Sequence, residues 1–335
     1  MAVITSPITG KEVADASVGD VMGMLYEDLS TIIENAGITL RYPEFERTYG
    51  EWGALLTEGR IAAAQGENVD ADATAMAPPA YFTVDARYYD EWIEAVYPSE
   101  IRRVDVTKIL RGEMDYADFL RKVVQRNVEG YRADVNKSID DALVGTGVGD
   151  SQEKPRALID VYAGDFVGGF LGHTRRYDTL SGEDGGAPKF KDVYSAILAT
   201  AMHMEVENST FTEGDAVYGA SMDDLSIYLP IDFVAGSDIK YIQELFNKSG
   251  IDKLPNIRAY NDKPITIGIG ETAKTYNVAF ILDKRVLNHV QRYMSYDDAP
   301  NDTRKSERLS LHVEHMTKYS PFYKAWAFLF EMPTE

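Results

Sequence analysis

The longest regular pattern of apolar positions runs from Tyr116 to Val144. Tyr116, Phe119, Leu120, Val123, Val124, Val128, Tyr131, Val135, Ile139 and Leu143 recur at helical spacing. Asp118, Arg121, Lys122, Arg126, Arg132 and Asp134 fall largely off that stripe. A helix over this span is about 43 Å long at about 1.5 Å per residue. Asp115 is placed to cap its start and Gly145 to end it. Gly130 costs about 1 kcal/mol inside a helix, so tertiary packing must hold it. A shorter amphipathic helix is predicted where Val21, Met24, Leu25, Leu29, Ile32, Ile33 and Ala36 recur, with Gly37 as its stop. KFKDVYSAILATAMHMEVEN and SDIKYIQELFNKSG, the latter capped by Ser237, read as two more helices. DLSIYLPIDFVAG reads as a strand and turn, and NIRAYN, ITIGIG and KTYNVAFILD as strands. RLSLHVEHMTKYSPFYKAWAFLFE gives two further strands, with Leu309, Leu311 and Val313 alternating with polar residues. The sum is a mixed α and β chain.

Three stretches do not fit this pattern. Residues 1–19 are rich in Ser, Thr, Gly and Pro and read as a flexible arm. Residues 145–188 are glycine-rich and poorly periodic. The segment GALLTEGRIAAAQGENVDADATAMAPPAYFTVDARYY runs small and acidic, then returns through Pro78 and Pro79 to an aromatic strand. It is a poor core-former and reads as a long two-limbed excursion. Long loops in compact domains are usually functional. An arm that packs on another molecule explains the missing local partner.

Composition narrows the function. The chain has 335 residues and 44% apolar content, enough for a core and enough to exclude intrinsic disorder. It contains no cysteine, which excludes disulfides and thiolate metal sites. No apolar run reaches the roughly 18 residues of a membrane helix, and the N-terminus lacks the basic-then-apolar order of a signal peptide. The net charge is −20. From Met1 to Thr107, seven basic residues face nineteen acidic ones, a local net of −12. Such a surface is ill suited to gripping nucleic acid. It is either a solvated acidic face or one that meets cations on a neighbour.

No constellation supports a reaction. GTGVG at 145–149 follows a helix, whereas a dinucleotide fingerprint follows a strand and opens a helix. GIGETAK at 268–274 lacks the spacing of a phosphate loop. In HVEH, strand alternation puts His312 and Glu314 on one face and His315 on the other, which disfavours a single metal site. His203 and Glu205 are two apart near a helix end and do not face each other. Asp223–Asp224 and Asp297–Asp298 are adjacent and read as surface charge. No serine sits in a nucleophile elbow. No catalytic, metal-binding or cofactor residues are expected, and no cofactor.

Taken in order, these segments resemble the major capsid proteins of tailed bacteriophages with the Hong Kong 97 fold, and most of all the phi-29-like short-tailed group. The resemblance is carried by the arm GRIAAAQGENVDAD with its return YFTVDARYY, by WIEAVYPSEIRRVDVTKILRGEMDYADFL leading into the long helix, by IQELFNKSGIDKLPNIRAYNDKPITIG, and by NVAFILDKRVLNHVQRY with the aromatic terminal strands. It spans about residues 20–331.

The resemblance implies an α+β chain with an N-terminal arm over 1–43 and an extended E-loop hairpin over 44–97. It implies a peripheral domain with a long spine helix over 98–150 and 300–335, and an axial domain over 151–299. It implies a virion shell built of pentamers and hexamers of this chain and assembled in the bacterial host cytoplasm. Portal, scaffolding or decoration proteins are the expected partners, with double-stranded DNA enclosed but not specifically bound, and no membrane. Trp52, Leu55, Leu56, Tyr81, Phe82, Tyr88, Tyr89 and Trp92 are the candidate interface anchors, because aromatic residues dominate interface hot spots. Arg60, the single arginine of the outward limb, is a candidate partner for an acidic neighbour. Some shells of this fold cross-link through an E-loop lysine, but no lysine lies between Lys11 and Lys108 here, so a non-covalent shell is expected. The short tail after the terminal strands implies no added C-terminal domain. Two alternatives stay open at this point: an encapsulin-like nanocompartment shell, which shares the fold, and a soluble α/β enzyme of unknown reaction.

Overall fold

The stripe from Tyr116 folds into a helix of 28 residues, Tyr116–Leu143. In the computed structural model, residues 3–14, 16–35, 45–47, 56–61, 84–89, 92–145, 157–162, 166–182, 185–206, 210–212, 219–236, 256–261, 263–268, 273–301 and 306–333 are described. The predicted helix at 237–250 lies outside them. The chain divides into two compact units. The first comprises Met1–Ala54, Glu91–Ser138 and His289–Thr317, and the second Leu55–Asp90, Ile139–Asn288 and Lys318–Glu335.

In the first unit the spine helix buries Tyr116, Leu120, Val123, Tyr131 and Val135. Asn127, which the apolar reading passed over, lies at the centre of this stripe and is buried. Its amide is used on both sides: Ser99 Oγ donates to Oδ1 at 2.6 Å, and Nδ2 donates to the Tyr296 hydroxyl at 2.8 Å. Phe119, Val124 and Val128 are only half-buried flanks. Gly130 has a reason that periodicity does not show. A Cβ there would lie 3.2 Å from the Tyr97 ring, and the Tyr97 hydroxyl donates to Asp134 one turn on at 2.8 Å.

The sheet of this unit has the order Phe45–Arg47, Leu287–Asn301, Ser306–Tyr319, Ile93–Arg102. The last two pair antiparallel, with Leu309 opposite Ser99 and Val313 opposite Ala95. Phe45–Arg47 runs parallel to the long strand, with Phe45 opposite His289. Strand pairing therefore ties residues 45–47 and 93–97 to this sheet, although the sequence reading drew them into the arm.

The N-terminus corrects another expectation. Ile4–Thr5 pairs with Glu12–Val13 in a small hairpin, not a loose arm. Its turn is organised by Ser6, whose hydroxyl accepts the amides of Ile8 and Thr9 and donates to the buried Asp28 at 2.6 Å. Tyr116 donates to the other Asp28 oxygen at 3.0 Å. Asp28 belongs to the helix Val18–Asn35, so one carboxylate joins hairpin, helix and spine.

The second unit is built on a sheet ordered Tyr177–Leu180, Ala325–Phe330, Lys274–Asp283, Leu225–Pro230, Asn256–Tyr260, with Ile265–Ile267 also paired to Lys274–Asp283. The terminal strand thus lies in this sheet, whereas the sequence reading grouped it with the spine. Leu225–Pro230 is buried at every position, which explains why its sequence shows no apolar–polar alternation. The helix Phe190–Glu205 covers the sheet through Val193, Ile197, Ala201 and Met204, against Leu229, Phe233, Phe328 and Phe330. Its end is closed by Lys324, fully buried, whose ammonium donates to the Met204 and Val206 carbonyls at 2.7 and 2.8 Å. A cation suits a helix C-terminus. The described parts of the glycine-rich stretch include regular structure. Val144–Gly145, Ile159–Tyr162 and Phe166–Gly168 form a small sheet. Gly169 then turns at φ +81°, where a Cβ would sit 2.6 Å from the Asp160 amide nitrogen.

Candidate assembly surfaces

The arm is described along its two paired limbs. Leu56–Ile61 and Val84–Tyr89 run antiparallel, with Leu56 opposite Tyr89, Thr57 opposite Tyr88, Glu58 opposite Arg87 and Arg60 opposite Asp85. Two cross-strand positions therefore set opposite charges in register, a pairing that favours a hairpin. Arg60 has an acidic residue opposite it within its own chain. Among the described residues these strands pair with no third strand. An isolated two-stranded hairpin is marginal in water. Trp52, Leu55, Tyr81 and Phe82 lie outside the described residues, and Leu56, Arg60, Tyr88 and Tyr89 are located by backbone register.

Trp92 packs inside its own subunit. The Arg292 guanidinium lies 4.3 Å over its ring, and Arg292 forms a buried ion pair with Glu314. A cation stacked on indole and neutralised by a carboxylate holds the Trp92 ring to its own chain. The Trp92 indole N–H is itself buried without a hydrogen-bond partner among the described residues.

The HVEH strand splits as alternation predicts. His312 Nε2 lies 3.2 Å from Asp297 Oδ2, on an open cleft of about 300 Å³ lined by Glu94, Tyr293, Asp297, His312, Val313 and Glu314. His315 points the other way and is buried, with its ring against Tyr131 and His289. Sequence reading missed this second cluster because Tyr131, His289 and His315 are far apart in the chain. The alternation that turned His315 inward was its one visible signal. Burial pushes His289 down to about 3 and His315 down to about 4.

Two of the remaining candidates have ion-pair partners. Lys274, the lysine of GIGETAK, pairs with Glu331. Asp224 pairs with Lys284 at 2.7 Å. Among the described residues, no group of three or more His, Cys, Asp or Glu is arranged to hold a metal ion. No described helix is long and apolar enough to cross a membrane.

The profile of one family, the Phi29-like phage major capsid proteins, matches residues 29–329. The chain belongs to this family. It is a major capsid protein, a subunit that assembles with its own copies into the head shell of a bacteriophage. Solved capsids agree in fold. The capsid of Staphylococcus phage Andhra aligns at a TM-score of 0.55 and 14% identity, over 89% of this chain and 88% of that one. The capsid of Ralstonia phage GP4 gives 0.51 and 10%, over 89% of each. The head of Helicobacter pylori bacteriophage KHP40 gives 0.50 and 10%, over 91% of each. At such identity these likenesses carry the fold alone, the mixed α/β architecture of the Hong Kong 97 type. No curated protein sequence matches the chain. The family match sets the phage capsid above the nanocompartment and the enzyme.

Proposed function

We propose that this capsid protein builds its shell as pentamers and hexamers held by non-covalent contacts, with the arm between the sheet strands Phe45–Arg47 and Ile93–Arg102 as the principal link between copies. The observation that carries this reading is the Leu56–Ile61 and Val84–Tyr89 hairpin, two strands that pair with no third among the described residues. A ribbon of this kind gains stability when its faces are covered, and in a shell the available cover is another copy. Specific stable interfaces bury on the order of 1,200–2,000 Å², and an extended arm multiplies the contacts of each subunit. Leu56, Tyr88 and Tyr89, with Trp52, Leu55, Tyr81 and Phe82, supply the apolar anchors, while Trp92 is held to its own chain. The absence of lysine between Lys11 and Lys108 supports a shell without arm-lysine cross-links.

In this reading the first unit, with the spine helix, serves as the peripheral domain, and the second as the axial domain that meets its copies at capsomer centres. The protein acts without catalysis. It encloses double-stranded DNA in a container whose net charge of −20 repels phosphate instead of gripping it. Portal and scaffolding proteins join it during assembly in the host cytoplasm. The test is deletion of residues 58–78. Folded subunits that form no shells in negative-stain images are expected; normal shells would overturn the arm's role.

A further inference from the structure

The chain crosses the boundary of the first unit five times, and three of these crossings fall after Ser138, at His289 and after Thr317. These three residues are joined by hydrogen bonds. Ser138 Oγ lies 2.9 Å from Thr317 Oγ1, and Thr317 Oγ1 lies 3.3 Å from His289 Nδ1. His289 Nε2 in turn lies 3.1 Å from the Tyr131 hydroxyl. One tautomer serves both ends, with Tyr131 donating to Nε2 and the Nδ1 proton donated to Thr317. The relay therefore ties three chain crossings to one another and to the spine helix. His315 lies alongside, its ring 5.1 Å from that of His289 and 5.4 Å from that of Tyr131. It is 2% exposed, and among the described residues neither of its ring nitrogens has a hydrogen-bond partner. A buried imidazole without partners is neutral by necessity.

Among the described residues, the other titratable groups facing this cluster are Tyr97, from the strand Ile93–Arg102, and Asp134, from the spine helix. They are bonded to each other at 2.8 Å, with the Tyr97 ring edge-on to Tyr131. His312, Glu314 and Arg292 are engaged on the opposite side of the sheet.

We propose that this relay is an acid-released lock on the three crossings. With both rings neutral it is closed. A proton on His289 makes both ring nitrogens donors, so the Tyr131 hydroxyl must turn from donor to acceptor and its own proton loses the ring as acceptor. A proton on His315 creates two buried donors without acceptors, and either cation repels the other. The spine helix around Tyr131 and Ser138 then parts from the strands of the first unit, and the three chain segments that the relay joins are freed together. The low proton affinity that burial imposes on both rings keeps the lock closed near neutrality. The consequence for a shell is a subunit whose first unit loosens in acid at one defined place while its apolar residues stay packed.

Amide hydrogen exchange on the assembled full-length shell tests this, corrected for intrinsic rate, from about pH 7.5 to about pH 4. Protection over residues 131–143 and 311–317 is expected to fall about tenfold or more at the acid end, while the helix Phe190–Glu205 keeps its protection. In the double variant His289→Gln, His315→Phe the onset is expected to move down by about one pH unit or more. Thr317→Val breaks the relay without touching a titrating group, so it is expected to lower protection already at neutral pH and to leave the onset where it was. Wild-type protection that stays flat to about pH 4 would overturn the proposal, whether or not the variants fold. An unchanged onset in the double variant would overturn it equally.

Discussion

The two units close their interiors in different ways. Under the helix Phe190–Glu205, the second unit is apolar and aromatic: Val193, Ile197, Leu229, Phe233, Phe328 and Phe330, with the Lys324 ammonium sealing one end. Under the spine helix, the first unit is threaded with polar groups: Asp28, Ser99, Asn127, Tyr131, His289 and His315. An apolar core tolerates substitution as long as volume is kept, and depends little on pH. A polar core specifies one geometry, because each misplaced donor or acceptor costs a desolvated partner. The first unit is thus the one whose shape is most sharply specified and the one acid can loosen.

Several substitutions break or sharpen this contrast. The largest effect is expected from Phe233→Ala in the second unit. Phe233 is fully buried and stacks on Phe190, Tyr194 and Phe330, and its truncation should cost about 3–5 kcal/mol, read as a lowered denaturant midpoint that is nearly the same at pH 7 and pH 5. Acid should do to the first unit what that truncation does to the second. An unfolded histidine has its ordinary value of 6.5, against about 4 for His315 and about 3 for His289 in the fold. The unfolded state therefore binds more protons across that window, and stability is lost as pH falls from 6.5 toward 3, on the order of 3 kcal/mol for His315 alone. Equal acid sensitivity in both units would erase the distinction.

A smaller loss, about 2 kcal/mol, is expected from Asp28→Ala, which leaves the Ser6 and Tyr116 hydroxyls without their acceptor. Limited proteolysis should then cut the N-terminal hairpin first. Lys11→Ala removes only an exposed pair with Glu27, both about half exposed, and should leave the thermal midpoint unchanged. A large effect there would show that surface charge, not the buried carboxylate, holds the hairpin.

Much of the fold was legible in the order of residues. The spine helix and the helix Phe190–Glu205 follow from apolar periodicity, because one buried face repeats locally, and the strands Leu225–Pro230, Lys274–Asp283 and Ala325–Phe330 follow from short apolar-rich runs that are buried on both faces. The misses share a cause. Asn127 looks like an interruption until Ser99 and Tyr296 arrive from distant segments to use its amide. Gly130 looks like a weakness until the Tyr97 ring is laid across it. Residues 1–19 look like a loose arm until Asp28 accepts from Ser6. Residues 145–188 look unstructured because their strands are only two to four residues long, too short for a period to register. The arm was recognised by what it lacked, a face for a local core. Trp92, taken for one of its contacts, has its partner in Arg292 of its own chain.

The sequence by itself determined the secondary elements with long buried faces, the absence of cysteine chemistry, the acidic balance and the family. Those depend on residue type and spacing alone. Only the tertiary structure decided which polar residues are buried together and which strands share a sheet. It decided that His315 meets His289 beneath the spine, and that the terminal strand Ala325–Phe330 joins the second unit. Those are pairings between positions remote in the chain, and nothing local encodes them. Their energy exists only once backbone segments from separate parts of the chain have met and excluded water.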